Sequence, residues 1–367
     1  MVLQGDQEGV SRSLSPSELR TLYLDLLRRP AFDGERKSIL DNIQRATDGD
    51  PGPASLITGP TDQAGLTKAL VASRDFWQQW FQEQLYYFLL VDNFAPHGET
   101  MVSIPDELSA GKLDVRDAIH RIALSSSFDQ RNPGADTFVT VVMEQLGGLA
   151  VEKNRRELEI GKAVYDGKPG SFLGRQGSSQ SDIVRNAIEQ RSFAEAFLSR
   201  EYRRYVHAVP DKRALGQWVS SFVADPKCFA ELAGSWCASP AYEARFTKRE
   251  PMDNRLFVRS MMVDLCQREP TPEEFSRLRS ALDGLSDPQP LRSVMARMLL
   301  DSGQTNVPAS KDGLDAAGFV EDQFRHLLGR DPSDKEAVEF AAGLADSDGK
   351  PTMIVYALIT SPEYQSY

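Results

Sequence analysis

Apolar and polar positions recur along this chain at the three- and four-residue spacing of amphipathic helices, with breaks at regular intervals. In FVEDQFRHLLGRDPSDKEAVEF the residues Val320, Phe324, Leu327 and Leu328 fall on one helical face. Gly329 follows the apolar run and can end the helix in a left-handed conformation, and Pro332 prevents continuation. Ser333 is a candidate N-cap, and Glu336, three residues on, completes a capping box. A second helix carries Val338, Phe340 and Leu344 up to the polar DSDGK turn. Pro351 suits the first turn of a third, which presents Ile354, Leu358 and Ile359 and ends at Ser-Pro-Glu-Tyr.

The same scheme returns three times upstream. At Phe257 it reads FVRSMMVDLCQREPTPEEF, then LRSVMARMLLDS; Thr271 caps, Pro272 sits in the first turn, Glu274 closes the box, and Leu291, Val294, Met295 and Met298 form the predicted buried stripe after Pro288. Around Tyr202 it reads YRRYVHAVPDKRAL, then CFAELAGSWCASPAYEARF, with Asp211 as cap, Pro226 opening the last helix and Phe229, Leu232 and Trp236 as its stripe. Near the start it reads LRTLYLDLLRRPAFDGER, then LTKALVASRDFW, interrupted by the Gly/Pro/Asp-rich RATDGDPGPASLITGPTDQAG. Agreement of punctuation, and not of hydrophobicity alone, predicts an all-α fold: an array of four related short three-helix repeats with a helical insert. Three short helices cannot each bury a face alone, so neighbouring copies are expected to share a core.

The predicted organisation is repeat 1 with its loop insertion at 1–81, a helical insert at 82–165, a linker at 166–182, repeat 2 at 183–250, repeat 3 at 251–301, a linker at 302–318 and repeat 4 at 319–367. The insert holds an aromatic helix (Trp77 to Leu89 at its entry), a loop through PHGE, the amphipathic VRDAIHRIAL, and FVTVVMEQLGGLAVEKNRRELEIGKAV, mostly helical with Gly147–Gly148 as its weak point. Both linkers are dense in Gly, Ser, Pro and Asp.

Composition narrows the function. At 41% hydrophobic and 26% charged, the chain is an ordinary globular one and not disordered. A net charge of −11 argues against a dedicated nucleic-acid binder, which needs a basic face. Cys228, Cys237 and Cys266 cannot all pair within one chain and none sits in a C-x-x-C, so they read as thiols in a reducing compartment. MVLQGDQEGVSRSLS has no apolar signal-peptide core, and LYYFLLV is far too short to span a bilayer. The expectation is a cytoplasmic protein without membrane insertion, an exported protein with its leader removed being the alternative.

Chemical signals are sparse. His97, His120, His207 and His326 include no pair at helical ligand spacing, and no G-x-S-x-G or H-E-x-x-H is present. His97 in NFAPHGET, with Asp92 and Glu99, is a candidate pocket; the competing reading is a solvated loop histidine. Gly170, Gly174 and Gly177 lack the preceding strand and the Gly-Lys-Ser/Thr ending of a phosphate-binding loop. Phe76, Trp77, Trp80, Phe81, Tyr86 and Tyr87 could stack on a sugar or a partner, or form a core stripe. No cofactor is implied.

FVEDQFRHLLGRDPSDKE and ALITSPEYQSY resemble a short bacterial helical repeat marked by an L-L-G-R-x-P turn and a closing S-P-E-Y/F, loosely similar to the phycobilisome linker domain. RTLYLDLLRRP, LVASRDFWQQWFQEQL and DTFVTVVMEQLGGL are similar to planctomycete-type cytochrome-associated proteins, as is the turn Gln267–Glu274. Together these matches touch about a third of the chain, and neither family supplies catalytic residues to transfer. The resemblance implies a helical module of a kind that occurs in many bacterial surface and secreted proteins. The expected function is a non-enzymatic scaffold or adaptor that binds other proteins or copies of itself. The alternative is an enzyme or accessory protein of polysaccharide breakdown with its site in the 82–165 insert. Repeat 4 reads as a mobile docking module whose candidate contacts are Tyr356, Tyr364 and Tyr367; otherwise those rings seal their own repeat.

Overall fold

A computed structural model describes residues 13–47, 60–90 and 99–367. The fold is mostly helical, as the periodicity predicts. The first-copy insertion falls largely on residues 48–59, outside the described residues. The chain divides into two compact units: a host unit, Met1–Ala69 with Ala238–Tyr367, and an inserted unit, Leu70–Cys237.

In the host unit the helix Pro16–Leu27 starts at a capping box between Ser15 and Glu18, and the helix Asn254–Cys266 starts where Asp253 accepts the Leu256 N–H. One apolar core takes residues from Asn254–Cys266, Pro272–Asp283, Gln289–Asp301, Ala316–Leu327 and Pro351–Ile359, together with Leu24. Val320, Phe324, Leu327 and Leu328 lie in it as their spacing predicts. Residues 319–367 therefore share a core with residues 252–300 and are no separate mobile module. A segment of that length buries too little apolar surface by itself. The stretch 302–318, expected to be a linker, is tied down as well: the Asn306 N–H donates to the Leu265 carbonyl at 2.8 Å, and Val307 and Leu314 pack against the core.

Two expected stripes are rotated. On Gln289–Asp301, Val294 and Met298 are 50% and 68% exposed, while Arg292, Met295, Ala296 and Leu300 face inward. Burying Arg292 turns the helix, because its guanidinium satisfies the Met252 carbonyl at 2.9 Å and Asn254 Oδ1 at 2.7 Å. Val338 is likewise exposed, and Leu344 is the buried residue of Asp334–Ala345.

The inserted unit has an aromatic core. Phe76, Trp77 and Trp80 on Arg74–Leu89 meet Phe197, Tyr205 and Phe229 with ring centroids 5.8–6.4 Å apart. The aromatic run is thus core, with Tyr87 left exposed. The helix Gly134–Val141 passes into a π-turn, Val142–Leu146, and stops at Gly147 and Gly148. Gly148 has φ +63°, and a Cβ there would lie 2.9 Å from the Ser192 carbonyl oxygen, so the weak point is a true stop.

The stretch 166–182 is not a linker. Gly170–Phe172 pairs antiparallel with Arg175–Gly177 across a Leu173–Gly174 turn in which both residues have positive φ. That is the tight-hairpin geometry whose twist matches the strands. Phe172 is fully buried, and Asn186 and Gln190 hold the hairpin by donating to the carbonyls of Phe172, Arg175 and Leu173.

Candidate functional site

The structure places the expected contact residues inside the host unit. Tyr364 is 1% exposed, and its hydroxyl donates to Asp264 Oδ2 at 2.8 Å. Tyr356 is half-buried and packs against the apolar core. Tyr367 is half-buried: its backbone exchanges hydrogen bonds with Glu250, its carbonyl accepts from Arg245, and its ring lies under that guanidinium at 4.4 Å. Burial pushes the Tyr367 phenol up to about 12. Asp92 and His97 lie outside the described residues. Glu99 opens the short helix Glu99–Val102, its side chain also outside them.

Of these tyrosines Tyr364 bonds a buried aspartate, Asp264, one of two such aspartates that no motif in the sequence marks. Asp264, on Asn254–Cys266, accepts both terminal nitrogens of Arg20 at 3.1 and 2.8 Å as well as the Tyr364 hydroxyl. His326 Nε2 lies 3.5 Å from Asp264 Oδ1 and 3.4 Å from Asp33 Oδ1. Burial alone would raise the Asp264 pKa, but the Arg20 charge and the hydrogen bonds around it outweigh burial and hold it at about 2. Asp25, on Pro16–Leu27, has the same kind of surroundings. The Tyr242 hydroxyl donates to it at 2.5 Å, and Arg245 pairs with it at 3.1 Å. Tyr242 comes from Ser239-Pro240-Ala241-Tyr242 and Tyr364 from Ser361-Pro362-Glu363-Tyr364. Two closing segments of one pattern therefore each insert a phenol beside a buried aspartate.

The turns after the two aspartates and the turn after the helix Ala316–Leu327 are built alike. Arg29 clasps Glu35 at 2.8 and 3.1 Å, Arg268 clasps Glu274 at 2.8 and 2.8 Å, and Arg330 clasps Glu336 at 2.9 and 2.8 Å. Each arginine also donates to the carbonyl of the following residue. Each glutamate accepts the N–H of the residue three before it: Phe32, Thr271 or Ser333. The residue before each arginine is left-handed: Arg28 (φ 54°), Gln267 (φ 52°) and Gly329 (φ 68°). His207 (φ 55°) and Asp211 form the same stop and cap, with Ala208 and Ala214 where the clasp would stand. The visible signal was R-x-x-x-x-x-E three times, preceded by D-L-L-R-R and D-L-C-Q-R. Hydrogen bonds from Arg268 and Arg330 hold Glu274 and Glu336 at about 2.

The last residues are held on a further side. Glu363 receives Arg330 at 2.7 Å through both Nε and Nη2 and Arg249 at 3.2 Å, and the Met252 N–H donates to the Gln365 carbonyl at 2.9 Å. Chemically, this arrangement of neutral phenols, ionised carboxylates and guanidiniums grips a chain segment in one register.

The inserted unit holds a different feature, a cavity of about 330 Å³ lined in part by Arg116, His120, Arg185 and Glu189. His120, on Val115–Ala123, bonds through Nε2 with the Ser181 hydroxyl at 3.1 Å, and burial lowers its pKa. No protein-family model, curated protein or solved structure matches this chain.

Proposed function

We propose that the chain is a non-enzymatic helical scaffold or adaptor, assembled from four related modules of the L-L-G-R-x-P/S-P-E-Y kind, that contacts other proteins or further copies of itself. The carrying observation is the doubled phenol–aspartate joint, Tyr242 on Asp25 and Tyr364 on Asp264. In this reading a closing segment of one module enters the aspartate site of the preceding one, and the three arginine–glutamate clasps fix the angle of each turn. Chemistry-bearing groups are thereby spent on joints, while Val294, Met298 and Val338 stand exposed on helix faces available for contact.

No helix among the described residues is long and apolar enough to cross a membrane. Cys228, Cys237 and Cys266, none of them in a disulfide, support a cytoplasmic setting.

The test is light scattering over a concentration series, with cross-linking of the purified chain. The scaffold reading expects self-association whose cross-links map to Gln289–Asp301 or Asp334–Ala345 and which Met298→Asp weakens. A monomer at every concentration, together with turnover of a polysaccharide, would sink it. That second reading draws on one observation, a cavity of about 640 Å³ lined by Met101, Ser103, Glu107, His120 and Arg121 within the 82–165 insert.

A further inference from the structure

The smaller cavity of the inserted unit carries an inference independent of the scaffold reading. Its carboxylates are occupied by their own surroundings. Asp114 accepts the N–H groups of Arg116 and Asp117 at 2.7 and 3.0 Å, Asp117 accepts the Asp114 N–H at 3.2 Å, and Glu189 pairs with Arg175. Two of its cations are not so engaged. Arg116 lies over the Phe222 ring at 4.9 Å, yet its Nε and Nη2 are buried without a hydrogen-bond partner. The Arg185 side chain lines the same cavity and has no hydrogen-bond partner among the described residues. The free valences of the site are therefore donors on the buried Nε and Nη2 of Arg116 and on the exposed guanidinium of Arg185, and a buried guanidinium nitrogen without an acceptor is costly.

We propose that this cavity binds a small organic anion, with a carboxylate or phosphate facing Arg116 and Arg185 and an apolar body against Ile188, Val223 and Pro226. Guanidinium and oxyanion make charge-assisted hydrogen bonds, the strong class, and about 330 Å³ falls at the small end of ligand pockets. Burial depresses the Arg116 pKa, and Asp114 and Glu189 do not restore it; a bound anion would. His120 is neutral near pH 7 because burial lowers its pKa, so it serves as a wall and hydrogen-bond group beside the two arginines and adds no charge.

The full chain is titrated calorimetrically with benzoate, phenyl phosphate and the neutral benzyl alcohol. At least one anion should saturate a single site below about 1 mM, at least about tenfold tighter than the alcohol. Benzoate against phenyl phosphate separates a carboxylate ligand from a phosphate one. Arg116→Met keeps the apolar stem and should weaken the anion by about tenfold or more; the exposed Arg185→Ser, which leaves the core untouched, should weaken it by about threefold or more. Should Arg116→Met fail to fold, the Arg185→Ser titration decides. No saturation by either anion, equal binding of the alcohol, or parental affinity in Arg185→Ser overturns the proposal.

Discussion

The two units weight rings and ion pairs differently in their interiors. The inserted unit is filled with rings: Phe76, Trp80, Tyr205, Phe229 and Trp236 are each at most 1% exposed. The host core mixes aliphatic and methionine side chains with Phe257, Phe319 and Phe324, and it buries Asp25, Asp264, Arg29, Arg245 and Arg292, each at most 4% exposed, whereas the inserted unit buries Glu201. Ring packing is attractive in many arrangements and rewards area. A buried ion pair adds little net stability over an apolar replacement, yet removing one partner is severe. The ring core thus supplies cohesion. The ionic joints choose which segment meets which.

That contrast can be broken experimentally. Trp80→Ala deletes a 1%-exposed ring with partners on three helices and should cost about 3–5 kcal/mol. Hydrogen exchange should show protection lost through Leu70–Cys237 first; equal loss in both units would merge them into one cooperative fold. Asp264→Ala strands Arg20 without its carboxylate and should cost about 3–5 kcal/mol, read by denaturant melts of the host unit.

Acid gives the same contrast a pH axis. Asp264 is held at about 2 in the fold, below an unfolded aspartate near about 3.9. Its contribution is complete above about pH 4 and is lost as pH falls through about 2. Glu274 and Glu336, also held at about 2, act in the same direction. In the inserted unit Glu107, Asp182 and Asp211 are lowered by hydrogen bonds near the surface, where solvent screens them. Asp114 there is raised by burial, so its contribution favours the fold at low pH and fades as pH rises. Exchange measured between pH 5 and pH 2 should therefore loosen the host unit first. Simultaneous loosening would contradict the assignment.

Smaller changes sharpen the comparison within the host unit. Tyr242→Phe and Tyr364→Phe each remove a donor to a buried carboxylate and should each cost about 1.5–3 kcal/mol, by equal amounts if the two joints are equivalent. Calorimetric melts that separate the two by more than about 1.5 kcal/mol would end that equivalence. Thr271→Ala and Ser333→Ala, which remove matching caps, should each cost about 1 kcal/mol.

Helix starts and stops were legible because a cap or a breaker acts within a few residues. Ser333 with Glu336, Thr271 with Glu274, Asp211 and Gly329 all stand as read. What depends on distant chain was not. Nothing local marks Asp25 as the partner of Tyr242 and Arg245, more than two hundred residues away. Arg292 displaced Val294 and Met298 from the interior through bonds to Met252 and Asn254 that no helical period encodes. The hairpin at 170–177 hid in Gly/Ser composition because Phe172 is its one fully buried apolar residue. The cavity arginines sit on segments that are far apart in sequence, with no motif to join them.

The order of the chain has a consequence for synthesis. The host unit is interrupted after Ala69 and resumes at Ala238. At roughly 5–20 residues per second, on the order of ten seconds or more passes before the ribosome supplies the second half. During that interval Leu19, Leu22, Leu24 and Leu26, all buried in the finished fold, have no completed core to enter. Asp25 waits without Tyr242 and Arg245, and Arg20 without Asp264. The inserted unit, contiguous and rich in rings, can collapse as soon as it is made. An aspartate amid four leucines keeps the nascent segment hydrated and disfavours indiscriminate association. Once its phenol and guanidinium arrive, the same carboxylate selects them, so the joint that sets register at the end also guards solubility at the beginning.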